Sequence, residues 1–292
     1  MNLGIDRLAR DISYRIDDEL QRSGIFFRIF ARAKSVESIE KKLISKDYEN
    51  SNENKKMQDL IGIRIAVYFD DDLPIVCNAI KKRFPFFDET IDEKAINTFE
   101  PHRINLVFKM SDVEAKEAFD LAISKYNYID TTYEVQLRTV LSEGWHEVEH
   151  DLRYKCKNDW INQSDISHIF NGVYASLVTN DWSIIAIFEK LSYSHYKNKN
   201  WAAMLRTKFR LRLKESELDN RIVEILNSDN KLAKEIYKVD RTLVLHNIFI
   251  DGIRIPLTLT NLIHIINAYC VNDFRIKDIA PDFIKSNKKL FP

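Results

Sequence analysis

The chain has 292 residues, 45% of them apolar and 30% charged, with 44 Lys and Arg against 44 Asp and Glu. This is the composition of a folded globular protein, one large domain or two ordinary ones, able to bury a sizeable core. The balanced charge excludes a global field drawing the chain to nucleic acid or an anionic membrane, so any polyanion site must be local.

Only six glycines are present, and neither common glycine-rich phosphate loop is found, so side-chain cations would have to hold any nucleotide phosphates. Cys77, Cys156 and Cys270 lie far apart in no metal-ligand or redox spacing. With no signal core and no run of roughly 18 apolar residues, the expectation is a cytoplasmic protein that is neither secreted nor membrane-spanning.

In chain order, Leu3, Ile5, Leu8, Ile12, Ile16 and Leu20 recur mostly at three- and four-residue steps and predict an amphipathic helix that Gly24 ends. Ser35 and Ser38 offer cap oxygens for a second helix bearing Ile39 and Leu43, which runs out in the polar stretch 50–54. Leu60 to Phe69 is the clearest strand, followed by a helix over 71–82, a strand over 104–110 and a helix over 113–126. Over 131–139, Tyr133, Val135 and Leu137 alternate with Glu134, Gln136 and Arg138, predicting a strand with one polar face. Beyond it the pattern is helical: 140–155 and on through 188, then 205–226 and 232–250, with Asn198, Asn227 and Gly252 near the breaks. The fold expected is α/β (α+β), a mixed sheet flanked by helices over 1–157, followed by an all-helical region over 158–292.

Asp59 stands just before one strand and Glu134 on the polar face of another, so two carboxylates can meet at a sheet surface. Such a pair suits Mg²⁺, which takes a few carboxylate oxygens and completes its shell with water and phosphates. Just upstream lie Arg28, Arg32, Lys34, Lys41 and Lys42, cations placed around a helix start. Taken alone, the acids read first as ordinary surface carboxylates and the cations first as a solvated helix face. Arg64 and Arg138 differ, because a guanidinium inside an apolar strand needs a carboxylate or phosphate partner.

Read together, RAKSVESIEKKL at 32–43, MQDLIGIRIAVYF at 57–69, YEVQLRT at 133–139 and WHEVEHDLRYK at 145–155 resemble, in order and chemistry, the synthetase domain of the RelA/SpoT family of alarmone synthetases. The resemblance covers about residues 25–155 and implies a nucleotidyltransferase-like domain. Its implied reaction is transfer of the β,γ-pyrophosphate of ATP to the 3′-hydroxyl of GDP or GTP. Asp59 is then the metal-binding aspartate of the D-L-x-G-x-R word, and Glu134, in E-V-Q-x-R-T, lies near metal and attacking hydroxyl. Arg32, Lys34 and Lys42 match the residues that hold the ATP phosphates and adenine. Arg64, Gln136 and Arg138 line the same pocket, with Mg²⁺ as cofactor. His150 and Lys155 are supporting candidates, a capping or buried role being the alternative for the histidine, and Trp145 reads as core.

The sequence departs from the family at the acceptor. Where a Gly-Tyr-x-Ser-x-His word is usual, residues 100–107 carry neither glycine nor tyrosine, and Asn105 replaces the histidine. His102 or Phe99 is left to offer a flat face to a base. A second acceptor, tRNA, suits a toxic small relative and a helical extension whose residues 190–214 interleave Lys and Arg with Tyr193, Tyr196, Trp201 and Phe209. A third possibility is a non-catalytic binding module, with the helical region meeting an antitoxin or regulatory protein.

Overall fold

A computed structural model describes residues 3–45, 56–91, 104–121, 128–215 and 217–290. The chain divides into two compact units, one formed by 1–18, 27–73 and 80–181, the other by 19–26, 74–79 and 182–292. The boundary at 157/158 read from sequence and the division at 181/182 therefore differ by the first half of one long helix.

The first unit is built on a five-stranded mixed sheet. Its elements begin with helix α1 (Leu3–Gln21), strand β1 (Phe27–Ala33), helix α2 (Val36–Ser45) and strand β2 (Ile61–Val67). Helix α3 (Leu73–Arg83), whose residues 74–79 are counted with the second unit, strands β3 (Phe86–Ile91) and β4 (Ile104–Lys109), helix α4 (Asp112–Leu121) and strand β5 (Thr132–Thr139) follow in the chain. The strand order is β1-β2-β5-β4-β3, with β2 and β5 parallel at the centre and the other pairs antiparallel. One sheet face is largely apolar: Ile61, Ile63, Ile65, Leu106, Phe108, Tyr133, Val135 and Leu137 are all buried. On that face Phe108 stacks on Tyr133 with ring centroids 5.5 Å apart. The stripe of α1 forecast from its spacing, Ile5, Leu8, Ile12 and Ile16, is buried throughout, and Arg15 ties α1 to Glu114 of α4.

β1 and β3 are additions to the expected strands, and both are edges. In β1 the alternation is masked because Phe30 sits among the outward-facing arginines Arg28 and Arg32. All six residues of β3 are exposed, so no apolar face marks it in sequence.

After β5, helix α5 (Val140–Val148) is capped by Thr139, whose Oγ1 accepts from the Ser142 amide at 3.1 Å. A π-helical turn over Glu149–Tyr154 and a short 3-10 turn over Lys157–Trp160 interrupt the forecast continuous helix. Helix α6 (Ser164–Lys197) then begins. In the first unit Trp145 is core, as expected: it stacks on Phe170, its Nε1 donates to the Phe170 carbonyl at 3.0 Å, and Tyr174 packs beside it.

The second unit is helical. Its elements are the end of α6, then α7 (Trp201–Phe209), α8 (Asn220–Ser228), α9 (Asn230–Lys238), α10 (Arg241–Asp251), α11 (Leu259–Ile266), α12 (Phe274–Asp278) and α13 (Asp282–Lys285). The helix expected over 205–226 is two helices, because Arg210 adopts a left-handed φ of 48° and ends α7. The next residues run extended, with the Arg212 amide donating to the Gly24 carbonyl at 2.7 Å and the Lys214 amide to that of Leu257 at 2.9 Å. Gly24 is required there, since at φ 71° a Cβ would lie 2.6 Å from Leu257 Cδ2. The helix expected over 232–250 is likewise cut, by Asp240 capping α10 through the Thr242 amide. Among the described residues, no helix is long and apolar enough to cross a membrane.

Candidate active site

The polar face of the sheet in the first unit places the site. Register sets Arg32, Gly62 and Glu134 in one row across β1, β2 and β5, and Phe30, Arg64 and Gln136 in the next. A third row holds Arg28, Ala66 and Arg138. Above these rows is a cavity of about 530 Å³ that Arg32, Lys34, Asp59, Arg64, Glu134 and Gln136 line, together with His150 and Lys155.

Asp59 arrives there because the approaches to β2 and β5 already run side by side. The Met57 amide donates to the Tyr128 carbonyl at 2.7 Å, and the Asp130 amide to that of Met57 at 3.1 Å. Lys34 continues the β1 ladder by donating its amide to the Leu60 carbonyl at 2.9 Å. Ser35 Oγ then accepts from the Ser38 amide at 3.2 Å, starting α2 and turning Lys42 inward.

Both ammonium groups converge on one oxygen: Lys34 and Lys42 Nζ pair with Asp59 Oδ2, the latter at 2.8 Å. The other carboxylate oxygen, Oδ1, is buried with no hydrogen-bond partner. Burial alone would raise the Asp59 pKa, but the bonds from Lys34 and Lys42 outweigh it and hold the carboxyl below its usual range. For Lys34 burial prevails over Asp59 and lowers its pKa. The pair thus favours the aspartate's charge more than the lysine's, because two cations share one anion. Glu134 adds a favourable field at Lys34.

Arg64 and Arg138 have found carboxylates, and the key one is Glu143. Its Oε1 accepts from Arg64 Nη1 at 2.6 Å and its Oε2 from Arg138 Nη1 at 3.1 Å. Glu147, one turn further along α5, also pairs with Arg64 Nη1. Arg138 Nη2 donates to Gln136 Oε1, and Gln136 Nε2 to Glu134 Oε1, both at 3.4 Å. Arg138 acts through this chain and does not line the cavity. Lys41 points away and pairs with Glu37 at 2.6 Å, both side chains exposed. His150 Nδ1 lies 2.9 Å from Asp151, and its ring stacks on Tyr154. His102 and Phe99, the acceptor candidates, lie outside the described residues, while Asn105 stands on β4 opposite Gln136.

Sequence reasoning missed Glu143, Glu147 and Phe30. The first two were signalled: strand arginines demand carboxylates, and Glu143 and Glu147 share one helix face at a four-residue spacing. Phe30 carries no such signal, because β1 shows no clean apolar–polar alternation in sequence.

Among the described residues, no group of three or more His, Cys, Asp or Glu is placed to hold a metal. Asp59 and Glu134 still fit Mg²⁺, which needs few protein oxygens when phosphates supply the rest, and Asp59 Oδ1 is a buried acceptor left without a partner.

Residues 31–159 match the model of the region found in RelA / SpoT proteins. The GTP pyrophosphokinase YwaC of Bacillus subtilis (strain 168) is 27% identical over 131 residues, 44% of this chain and 59% of that protein, so the chain spans less than two thirds of that relative's length. Among solved structures, small alarmone synthetase 1 from Bacillus subtilis matches with a TM-score of 0.46 at 19% identity, covering 63% of this chain and 92% of that one. A GTP pyrophosphokinase family protein from Streptococcus pneumoniae matches with a TM-score of 0.44 at 19% identity, covering 61% and 84%. Residues 31–159, which hold Asp59, Glu134 and Lys34 and Lys42 beside them, are the part of the chain that is similar to RelA / SpoT proteins.

Proposed function

We propose that the chain is an ATP-dependent pyrophosphokinase that transfers the β,γ-pyrophosphate of ATP to the 3′-hydroxyl of GDP or GTP. The observation that carries this reading is the sheet-face cavity in which Asp59, itself paired with Lys42, and Glu134 stand among Arg32 and Lys34 over a floor left clear at Gly62. In this reading the 3′-oxygen forms a bond to the β-phosphorus, the bond from that phosphorus to the α,β-bridging oxygen breaks, and AMP leaves. The chemistry needs positioning and charge neutralisation more than covalent help.

Arg32, Lys34 and Lys42 bind the phosphates, and the Asp59 anion keeps the two ammonium groups aimed at the cavity until they arrive. Glu134 faces the acceptor hydroxyl and takes or orients its proton. The Gln136, Arg138 and Glu143 chain holds Glu134 in place. Asp59 and Glu134 would hold Mg²⁺, which when bound neutralises phosphate charge and favours the attacking hydroxyl.

Guanosine nucleotide ranks first as acceptor because the relative sharing the matched region is a GTP pyrophosphokinase. tRNA is the second reading, supported by the departure at 100–107. In the basic stretch proposed to meet RNA, Tyr193 is exposed and lies near Tyr196 and Tyr237, whereas Trp201 and Phe209 are buried and serve the core.

The test is incubation of the full chain with γ-³²P-ATP, Mg²⁺ and GDP, GTP or bulk tRNA. Label on a guanosine nucleotide supports the first reading, and label on tRNA alone replaces it with the second. Label on none, from folded protein, points to a non-catalytic module.

A further inference from the structure

Glu147 stands out in the polar cluster beside the cavity. Glu143, with its side chain 13% exposed, satisfies both strand arginines with its two oxygens, so it answers the cost of burying them. Glu147 adds a second carboxylate to the one nitrogen that Glu143 already holds, Arg64 Nη1, while Arg64 Nε is buried without a partner. A half-exposed ion pair of this kind contributes little to stability. It does hold, with negative charge, a guanidinium that lines the cavity.

We infer that Glu147 is a positioning residue that competes with the donor polyphosphate for Arg64, so that nucleotide binding exchanges this carboxylate for the ligand. The inference rests on the nucleotide-binding reading above. Arg64 and Arg138 carry two positive charges against the negative charges of Glu143 and Glu147, so the unliganded cluster is balanced. An entering polyphosphate upsets that balance and is repelled by any carboxylate that stays. Glu143 cannot leave, because it also anchors Arg138. Glu147 can, since its side chain is 50% exposed and its neighbour on this face is Arg64. The carboxylate thereby sets a threshold of nucleotide concentration below which Arg64 stays paired with Glu147.

The experiment titrates the full chain, as wild type, Glu147→Gln and Glu147→Asp, with α,β-methylene ATP and Mg²⁺ by calorimetry at low and high salt. Glu147→Gln should bind about 5- to 10-fold more tightly at low salt, as removal of one partly screened like charge allows. The gain should shrink at high salt, and Glu147→Asp should bind about as weakly as wild type. A merely structural role predicts looser binding and no salt dependence of the difference. Equal or weaker binding by Glu147→Gln, with wild type binding measurably, overturns this inference alone. Absence of binding by all three folded proteins refutes the nucleotide-binding reading and the inference with it.

Discussion

At Gly62 the sheet carries no side chain between Arg32 and Glu134, and a Cβ built there meets nothing within 4 Å. The glycine is there for the space above it, since its backbone conformation is an ordinary strand's. Gly62→Leu should therefore fold at least as well as wild type, with the strand gaining a better β-former. Its side chain fills the cavity, so nucleotide turnover should fall by about 100-fold or more, the scale on which misplaced reactants lose rate. A melting curve and a turnover assay on the same sample check both halves. The neighbouring acids were legible because they sit in words of fixed order. Glu143 and Glu147 were legible only as a demand, since sequence showed two strand arginines in need of partners without saying which acids would reach them.

At the scale of elements, what was readable was whatever buries a regular face. α1, β2, β4 and β5 each have one, and their positions follow from period alone. β1 and β3 were not readable, as edges with little or no buried alternation. The splits at Arg210 and Asp240 were hidden because apolar spacing continues across them, and a backbone turn or a capping aspartate decides the matter locally.

The N-terminus of α5 carries a further consequence. Thr139 Oγ1 donates to Asp181 Oδ2 at 2.7 Å, and burial, opposed by that bond and reinforced by Asp70, raises the Asp181 pKa from 3.8 to about 6. A carboxyl with a raised folded-state pKa contributes stability that is complete below about pH 4 and lost as pH rises through about 6. Asp181→Asn, which can still accept from Thr139, should therefore gain on wild type between pH 4 and 6. Above pH 7 it should be more stable by about 1–2 kcal/mol, allowing for solvent screening. Chemical denaturation at several pH values reads this directly. A difference that is constant with pH would contradict it.

On the scale of the molecule, the matched region ends at 159, but the first packed unit continues to 181. The reason is Trp145, which leaves the region's last helix to pack on Phe170 and Tyr174 of α6. A fragment of residues 1–159 exposes this indole and should lose cooperative melting and solubility, whereas the full chain melts cooperatively. Sequence places a boundary at 157/158 because the words that carry the family resemblance end at 155, and side-chain cover across a turn has no period to betray it.

The central claim is that Asp59 and Glu134 serve pyrophosphate transfer, and the product that separates this from other ATP chemistry is AMP. Wild type, Asp59→Asn and Glu134→Gln should each be given ATP, Mg²⁺ and the acceptor that takes label, with AMP and pyrophosphorylated acceptor quantified together. The account predicts equal amounts of the two products from wild type, no ADP, and loss of both products by about 1,000-fold or more in either folded variant, the scale seen when a group stabilising transition-state charge is removed. ADP or free phosphate in place of AMP, or undiminished transfer in both variants, would contradict it.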